Sequence, residues 1–370
     1  MSLSSRDESP ARWTAHGAAT ARCALYDRVS DYSGQKIPVD EPAGTDGVDG
    51  IARVPMLHVM GDAAFATTHD AASLRRTPPR EAVEWALRAV GSEGRVLSIK
   101  ALDGGTSHAN HLLRIDAGGA VHEVVLRRWV RTDWQETDPA FSPAQEAATY
   151  ELLASSAVPA PRLIDADVNG GGCDVPALLL TRAPGTRLTK PTDLGSFLAQ
   201  LAGALPPLHS LDPERARGTL PPYRPYFEPE GLRVPDWTER PSAWRQAIEA
   251  ASGPEPHEPP AFIHRDYHPG NTLWAGGRLT AIVDWTTASW GPRVVDLTHM
   301  RVNLALFFGV EPADQFLDAY REVTGSAVDL DPYWDLVDAV DFVLDLDPSR
   351  HSATRLRGLD DFVAAALTRL

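Results

Sequence analysis

The sequence predicts an α+β fold in two unequal parts, a small strand-rich one followed by a larger, mainly helical one. Three observations predict it. Short apolar runs punctuated by glycine turns crowd the stretch from 95 to 181. Helix-length segments dominate after residue 185. The first 78 residues hold no sustained period of either 3.6 or 2. Strands then helices in series, with no βαβ alternation, is the pattern of an α+β chain.

Residues 1–78 are rich in Ser, Asp, Gly, Ala and Thr, with a loop-like run at 40–50, and are expected to be disordered or poorly ordered. Residues 78–94 read as a helix with proline before it and glycine after it. The runs 95–105, from His111 and from Val121 read as strands, with Ala117, Gly118 and Gly119 as a hairpin turn between the last two. Residues 142–156 read as a helix. Ser142 suits its N-cap, Pro143 its first position, and Gln145 completes a capping box. Residues 161–181 hold two more strands around a turn at 169–172. Helices are expected at 193–205, 241–251, 312–324, 332–346 and 352–370. The expected division is a small lobe over 79–182 and a helical lobe over 183–370, joined near Arg182 and Gly185.

Composition narrows the function. The chain has 370 residues, 43% hydrophobic and 23% charged, as in ordinary globular proteins. No apolar run approaches the roughly 20 residues that span a bilayer, and no secretory signal is evident, so neither membrane nor export is expected. Cys23 and Cys173 are the two cysteines, which fits a reducing cytoplasm. The net charge of −15 argues against a nucleic-acid partner. Residues 1–80 carry 10 acidic and 9 basic side chains, so the acidity belongs to the rest. That balance suits a cationic substrate or simple solubility.

The chemistry concentrates between residues 262 and 300. His264, Asp266, Asn271 and Asp284 follow one another in the spacing of a phosphoryl-transfer site. Asp266 would accept and align a hydroxyl proton. Asn271 and Asp284, the latter closing a strand at 279–283, would offer hard oxygens to Mg²⁺. His264 would brace the loop, and Pro269 with Gly270 would turn Asn271 back toward Asp266. Zinc on the alternating His264, Asp266 and His268 is the rival reading; Pro269 ends any such strand at once, which leaves His268 as a loop residue facing solvent or substrate. Upstream, Gly104, Gly105, Thr106 and Ser107 could close over phosphates. Strand alternation puts Glu123, Val125 and Arg127 on one face, from which Arg127 could reach phosphates and pair with Glu146. Arg128 would point the other way, into solvent. Asp338, Asp341 and Asp345 share one helix face, read as solvated or as a seat for a polyamine-like substrate.

Together the stretches GGTSHANHLLRI, VVLRRW, LLLTRAPG, LPPLHSL, FIHRDYHPGN, TAIVDW and GPRVVDL resemble the aminoglycoside phosphotransferase family, small-molecule kinases with a protein-kinase-like bilobal fold. The likeness runs over about residues 95–300, and the pairing of His-x-Asp-x4-Asn with Ile-Val-Asp-Trp is its specific part. It implies ATP, or GTP in its place, with Mg²⁺ as cofactors and a small-molecule hydroxyl as acceptor. It implies Asp266 as catalytic base and Asn271 and Asp284 as metal ligands, with His264, Arg265 and Asp296 supporting the loop. Gly104 to Ser107, Arg127 and Glu146 would serve the phosphates, and the segment holding Leu180 and Arg182 the adenine. Arg127 departs from the lysine common at its position, and His108 from an asparagine. Trp285 stands where protein kinases continue Phe-Gly, and the path from Asp284 to Asp296 leaves no room for a long activation loop. A non-catalytic nucleotide-binding scaffold on the same fold is the alternative.

Overall fold

The computed structural model describes residues 74–102, 108–131, 140–188, 190–325, 328–344 and 346–370. It begins with α1 (Arg80–Val90) and then β1 (Arg95–Ala101), β2 (Ala109–Ala117) and β3 (Ala120–Arg128). Gly118 and Gly119 join the last two with φ of 59° and 79°. Two consecutive positive φ values make the tight hairpin turn whose twist matches its strands. Ser142 caps α2 (Pro143–Leu153), its side chain accepting from the Gln145 backbone N–H. β4 (Leu163–Asp167) and β5 (Ala177–Thr181) complete an antiparallel sheet in the order β1-β2-β3-β5-β4.

The two faces of this sheet do different things. Ala177 and Leu179 join Leu113, Ile115, Val124 and Leu126 under the Trp85 face of α1. Leu178 and Leu180 point the other way, into the main core with Trp129 and Tyr150. Arg127 lies opposite Leu178 in the register, and cross-strand partners share a face, so the arginine is directed inward. Arg128, opposite Ala177, takes the outer face as alternation requires. It is not exposed: the guanidinium is buried and paired with Asp174. Burying that charge is tolerable because both ends of the fork are held.

The rest of the chain is mostly helix: α3 (Leu194–Gly203), the short α4 (Pro206–His209) and α5 (Pro213–Arg217), then α6 (Pro241–Ala251). Four short strands follow as two antiparallel pairs, β6 (Pro260–Ile263) with β9 (Ser289–Pro292), and β7 (Thr272–Ala275) with β8 (Arg278–Ile282). β8 stops two residues before Asp284, which lies in the left-handed region instead of closing the strand. Last come α7 (Val294–Phe308), α8 (Val310–Thr324), α9 (Pro332–Phe342) and α10 (Ala353–Leu367).

α7 is the axis of the helical part. Every residue from Val294 to Leu306 is buried, and α8, α9 and α10 pack around it. It is buried on all sides, its polar residues included, so it has no amphipathic stripe to betray it, and the sequence reading does not contain it. α10 crosses α7 closely: a Cβ on Gly358 would clash with the Ala305 carbonyl oxygen. Among the described residues, no helix is long and apolar enough to cross a membrane.

Candidate active site

The site forms where the inner face of the sheet meets the loops after β6 and β8. Two of its residues, Arg265 and Asp284, are the non-glycine residues with positive φ among those described, at 69° and 68°. Such backbone is held only when the surroundings over-determine it, and here they do.

Asp296, in the first turn of α7, fixes the loop after β6. Its buried carboxylate accepts from the backbone N–H of His264 at 3.0 Å and of Arg265 at 2.7 Å. His209 Nε2 lies 3.1 Å from the same group. His264 Nε2 reaches the Val283 carbonyl at 3.1 Å, so its ring donates there and ties this loop to the one holding Asp284. Burial lowers its pKa, against the pull of Asp296 and Asp266, which keeps the ring neutral. The Arg265 guanidinium is buried over the Tyr226 ring at 3.9 Å, with Phe141 and Tyr223 each at 5.3 Å, and donates to the Arg224 carbonyl at 2.6 Å.

Pro269–Asn271 is a 3₁₀ turn that returns Asn271 to Asp266. Asn271 Nδ2 donates to Asp266 Oδ2 and to its backbone carbonyl, both at 3.0 Å. The Val283 N–H donates to the Asn271 carbonyl at 2.9 Å, which holds Asp284 alongside. Asn271 Oδ1 is buried without a hydrogen-bond partner, a hard oxygen left over once the amide N–H₂ is used. Together with the Asp284 carboxylate it suits Mg²⁺, which needs few protein ligands and prefers oxygen. His268 is buried, not solvent-facing; its Nδ1 accepts from the Gly270 N–H at 3.0 Å and its Nε2 lies 3.8 Å from Asp266 Oδ1.

On the sheet side, Arg127 gathers the cluster. Its Nε pairs with Glu146 at 2.8 Å, and its outer nitrogen donates to Asp284 Oδ1 at 2.7 Å and to Thr286 Oγ1 at 2.6 Å. His108 Nδ1 lies 3.1 Å from the same nitrogen. Burial would lower the Arg127 pKa, but the Glu146 and Asp284 carboxylates outweigh it and hold the group charged. Burial raises the Glu146 carboxyl, against the pull of Arg127 and the Trp129 indole N–H. His108 is held neutral by burial first and by the Arg127 and Arg131 charges second.

Leu180 is interior to the sheet, paired with Val125 on one side and Leu163 on the other. Arg182 lies past the ladder, its backbone N–H on the Glu123 carbonyl and its side chain paired with Glu123. Gly104, Gly105, Thr106 and Ser107 fall outside the described residues. The α9 acids are not a solvated face. Asp335 pairs with Arg301, Asp338 with His299, and Asp341 accepts from the Tyr226 and Phe227 N–H groups. All three are buried, and Asp345 lies outside the described residues. Sequence reasoning passed over His209 and His299. The first stood in a stretch already matched, and the second in the helix with no visible period.

Fold and site together are those of a kinase-like phosphotransferase. The chain belongs to the phosphotransferase enzyme family, whose model matches residues 98–340. A homoserine kinase of Chelativorans sp. (strain BNC1) is 28% identical over 212 residues, 52% of this chain and 59% of that protein. The chain thus matches less than two thirds of that relative's length. Among solved structures, the aminoglycoside phosphotransferase APH(4)-Ia superposes with a TM-score of 0.53 at 19% identity, over 77% of this chain and 98% of the other. A thermostable mutant of that enzyme in ternary complex with ADP and hygromycin B gives 0.51 at 18%, over 73% and 94%. A putative aminoglycoside phosphotransferase from Ralstonia eutropha JMP134 gives 0.50 at 15%, over 78% and 96%.

Proposed function

We propose that the chain is a cytoplasmic kinase that transfers the γ-phosphoryl group of ATP, with Mg²⁺, to a hydroxyl of a small molecule. The observation that carries this reading is the convergence of Asp266 and Asn271 from one loop, Asp284 from a second and Arg127 from the sheet onto one site. Phosphoryl transfer needs little covalent help from a protein; it needs alignment and charge neutralisation, and these residues supply both.

Asp266 takes the acceptor hydroxyl's proton and aims its oxygen in line with the γ-phosphorus. Asn271 presents one amide face to Asp266 and the other to the metal, so a single side chain sets the relation between base and cation. Asp284 is the second metal ligand, and bound Mg²⁺ supplies positive charge to the phosphate oxygens. Arg127 lies beside Asp284 with its fork already held by Glu146, pre-oriented toward the α- and β-phosphates. Gly104 to Ser107 would serve the phosphates, and the segment holding Leu180 and Arg182 the adenine.

The acceptor is a hydroxyl-bearing metabolite or antibiotic. Homoserine and aminoglycosides such as hygromycin B, acted on or bound by the relatives above, head the panel to be tried. Asp341 is buried and its Oδ1 accepts from two backbone N–H groups, so a polyamine would have to find other partners. The test is nucleotide consumption by the purified chain, with ATP or GTP, across amino alcohols, aminoglycosides and neutral sugars, beside Asp266→Asn. Turnover that requires Mg²⁺ and drops about 10²–10⁴-fold in Asp266→Asn is the expected result. Full activity in Asp266→Asn would remove the base from the mechanism. Nucleotide binding without turnover on any acceptor would make the chain a scaffold.

A further inference from the structure

Asp266 has an attachment that the catalytic motif does not contain. Its Oδ2 is taken by Asn271 from its own loop. Its Oδ1 lies 3.2 Å from Nε2 of His299, a buried residue of α7. The other nitrogen of that imidazole, Nδ1, lies 3.1 Å from Asp338 Oδ1 on α9. A carboxylate, an imidazole and a second carboxylate therefore stand in series, from the middle of the helical core to the base.

The protons in this series are constrained. Each nitrogen faces a carboxylate oxygen, so each contact is favourable only if a proton lies in it. A neutral imidazole with both acids ionised would leave one lone pair against another. Asp338 sharpens the point, because its side chain is only 6% exposed and its Oδ2 has no hydrogen-bond partner. A buried carboxylate with that one polar neighbour needs its charge balanced there. The imidazole that balances it carries both protons, and its Nε2 side stands 3.2 Å from Asp266 as an ion pair, a contact of charge and proximity rather than an aligned hydrogen bond.

From this the geometry points to His299, backed by Asp338, as a positioning residue for the base, a role that rests on the kinase reading above. Held from both sides, by Asn271 at Oδ2 and His299 at Oδ1, with His268 Nε2 a further 3.8 Å from Oδ1, the Asp266 carboxylate keeps one rotamer and one plane. In transfer, the hydroxyl proton passes to Asp266, the acceptor oxygen bonds to phosphorus, and the bridging P–O bond breaks with its electron pair leaving on ADP. His299 gains and loses nothing in that balance; it fixes where the proton is received. α7 is suited to this, since His299 stands one turn beyond Asp296 and the two hold the same loop, one by its backbone and the other by its base. His268 and Phe342 pack beside the ring, at 6.0 and 6.4 Å between centroids.

The test is steady-state turnover of MgATP by the full chain with water as acceptor, for the parent, Asp266→Asn, His299→Ala, His299→Asn, His299→Gln and Asp338→Asn. Glutamine places its amide nitrogen near the position of Nε2 and can still donate to Asp266; asparagine reaches only the position of Nδ1. His299→Ala and His299→Asn should lower kcat by about 10- to 100-fold, the scale of a slightly misplaced group, with KM for MgATP within about twofold. His299→Gln should recover most of that loss. Asp338→Asn, nearly isosteric, should lower kcat several-fold with KM unchanged, and it decides the matter if the His299 variants fail to fold. Retention of the MgATP-induced rise in Tm reports an intact nucleotide site. Parent-like kcat in the His299 and Asp338 variants beside a crippled Asp266→Asn overturns the positioning role alone, and so does equal activity of the Asn and Gln variants. No MgATP turnover by the parent with water or with any acceptor of the panel above, or none lost in Asp266→Asn, overturns the kinase reading and this inference with it.

Discussion

Arg127 and Asp284 are 157 residues apart in the chain and 2.7 Å apart in space. One comes from the inner face of the sheet, the other from the loop after β8. Their contact ties the sheet and that loop into a single object. Glu146 on the far side of Arg127 makes the arrangement a three-member line of alternating charge, buried at its Glu146 end.

The line predicts that Arg127→Lys is not a conservative change. An ammonium is a point donor and cannot pair with Glu146 while reaching both Asp284 and Thr286. The variant should fold, and its kcat/KM for ATP should fall about tenfold or more, chiefly through KM. Steady-state kinetics with varied nucleotide measures it.

Glu146→Gln should act on stability instead. Glu146 is wholly buried, and its removal as a charge leaves the Arg127 guanidinium with Asp284 as its remaining carboxylate. Breaking one side of a buried ion pair costs about 3–5 kcal/mol. Urea unfolding should show a lower midpoint with an unchanged slope.

Asp296→Ala should be worse than either. Two backbone N–H groups, of His264 and Arg265, lose their acceptor inside the core, at about 1–3 kcal/mol each. Asp296→Asn keeps an acceptor oxygen and should recover part of the loss. Thermal unfolding of the two variants side by side tests the ranking.

Acid should destabilise the fold from about pH 6.5 downward. Burial depresses the His268 pKa to about 3, against the raising influence of Asp266. The unfolded chain protonates this ring near pH 6.5 and the folded one does not, so the unfolded state binds the extra proton as pH falls. Stability is complete above that pH and is lost toward pH 3, by about 1.4 kcal/mol per pH unit for this one group. His268→Asn, which can still accept from Gly270, should flatten the fall in Tm between pH 6.5 and 5.

Gly358→Ala should loosen the helical core. The added carbon meets the Ala305 carbonyl, a backbone atom that cannot swing aside. Overpacking of this kind costs about 1–3 kcal/mol, read as a lower denaturant midpoint.

Much of this was legible in the chain because local rules decided it. The Gly118-Gly119 turn, the Ser142 cap and the alternation that aims Arg127 inward each follow from neighbours in sequence. The return of Asn271 to Asp266 is likewise a property of its turn. What was not legible depends on partners that sequence spacing cannot supply. α7 is buried on every side, so no period marks it. The acids of α9 read as surface because acids usually are. They are inside because Arg301, His299 and the N–H groups of Tyr226 and Phe227 receive them. Arg128 hid the same way, behind Asp174.

The aromatic rings around Arg265 have a consequence for control. In a loop whose shape depends on a charge added later, that arginine must wait for its anion. Here three rings and a carbonyl already take its place-holding role, and they come from the chain itself. The loop is assembled as soon as the protein folds. On the kinase reading, that loop needs no added charge to take its shape.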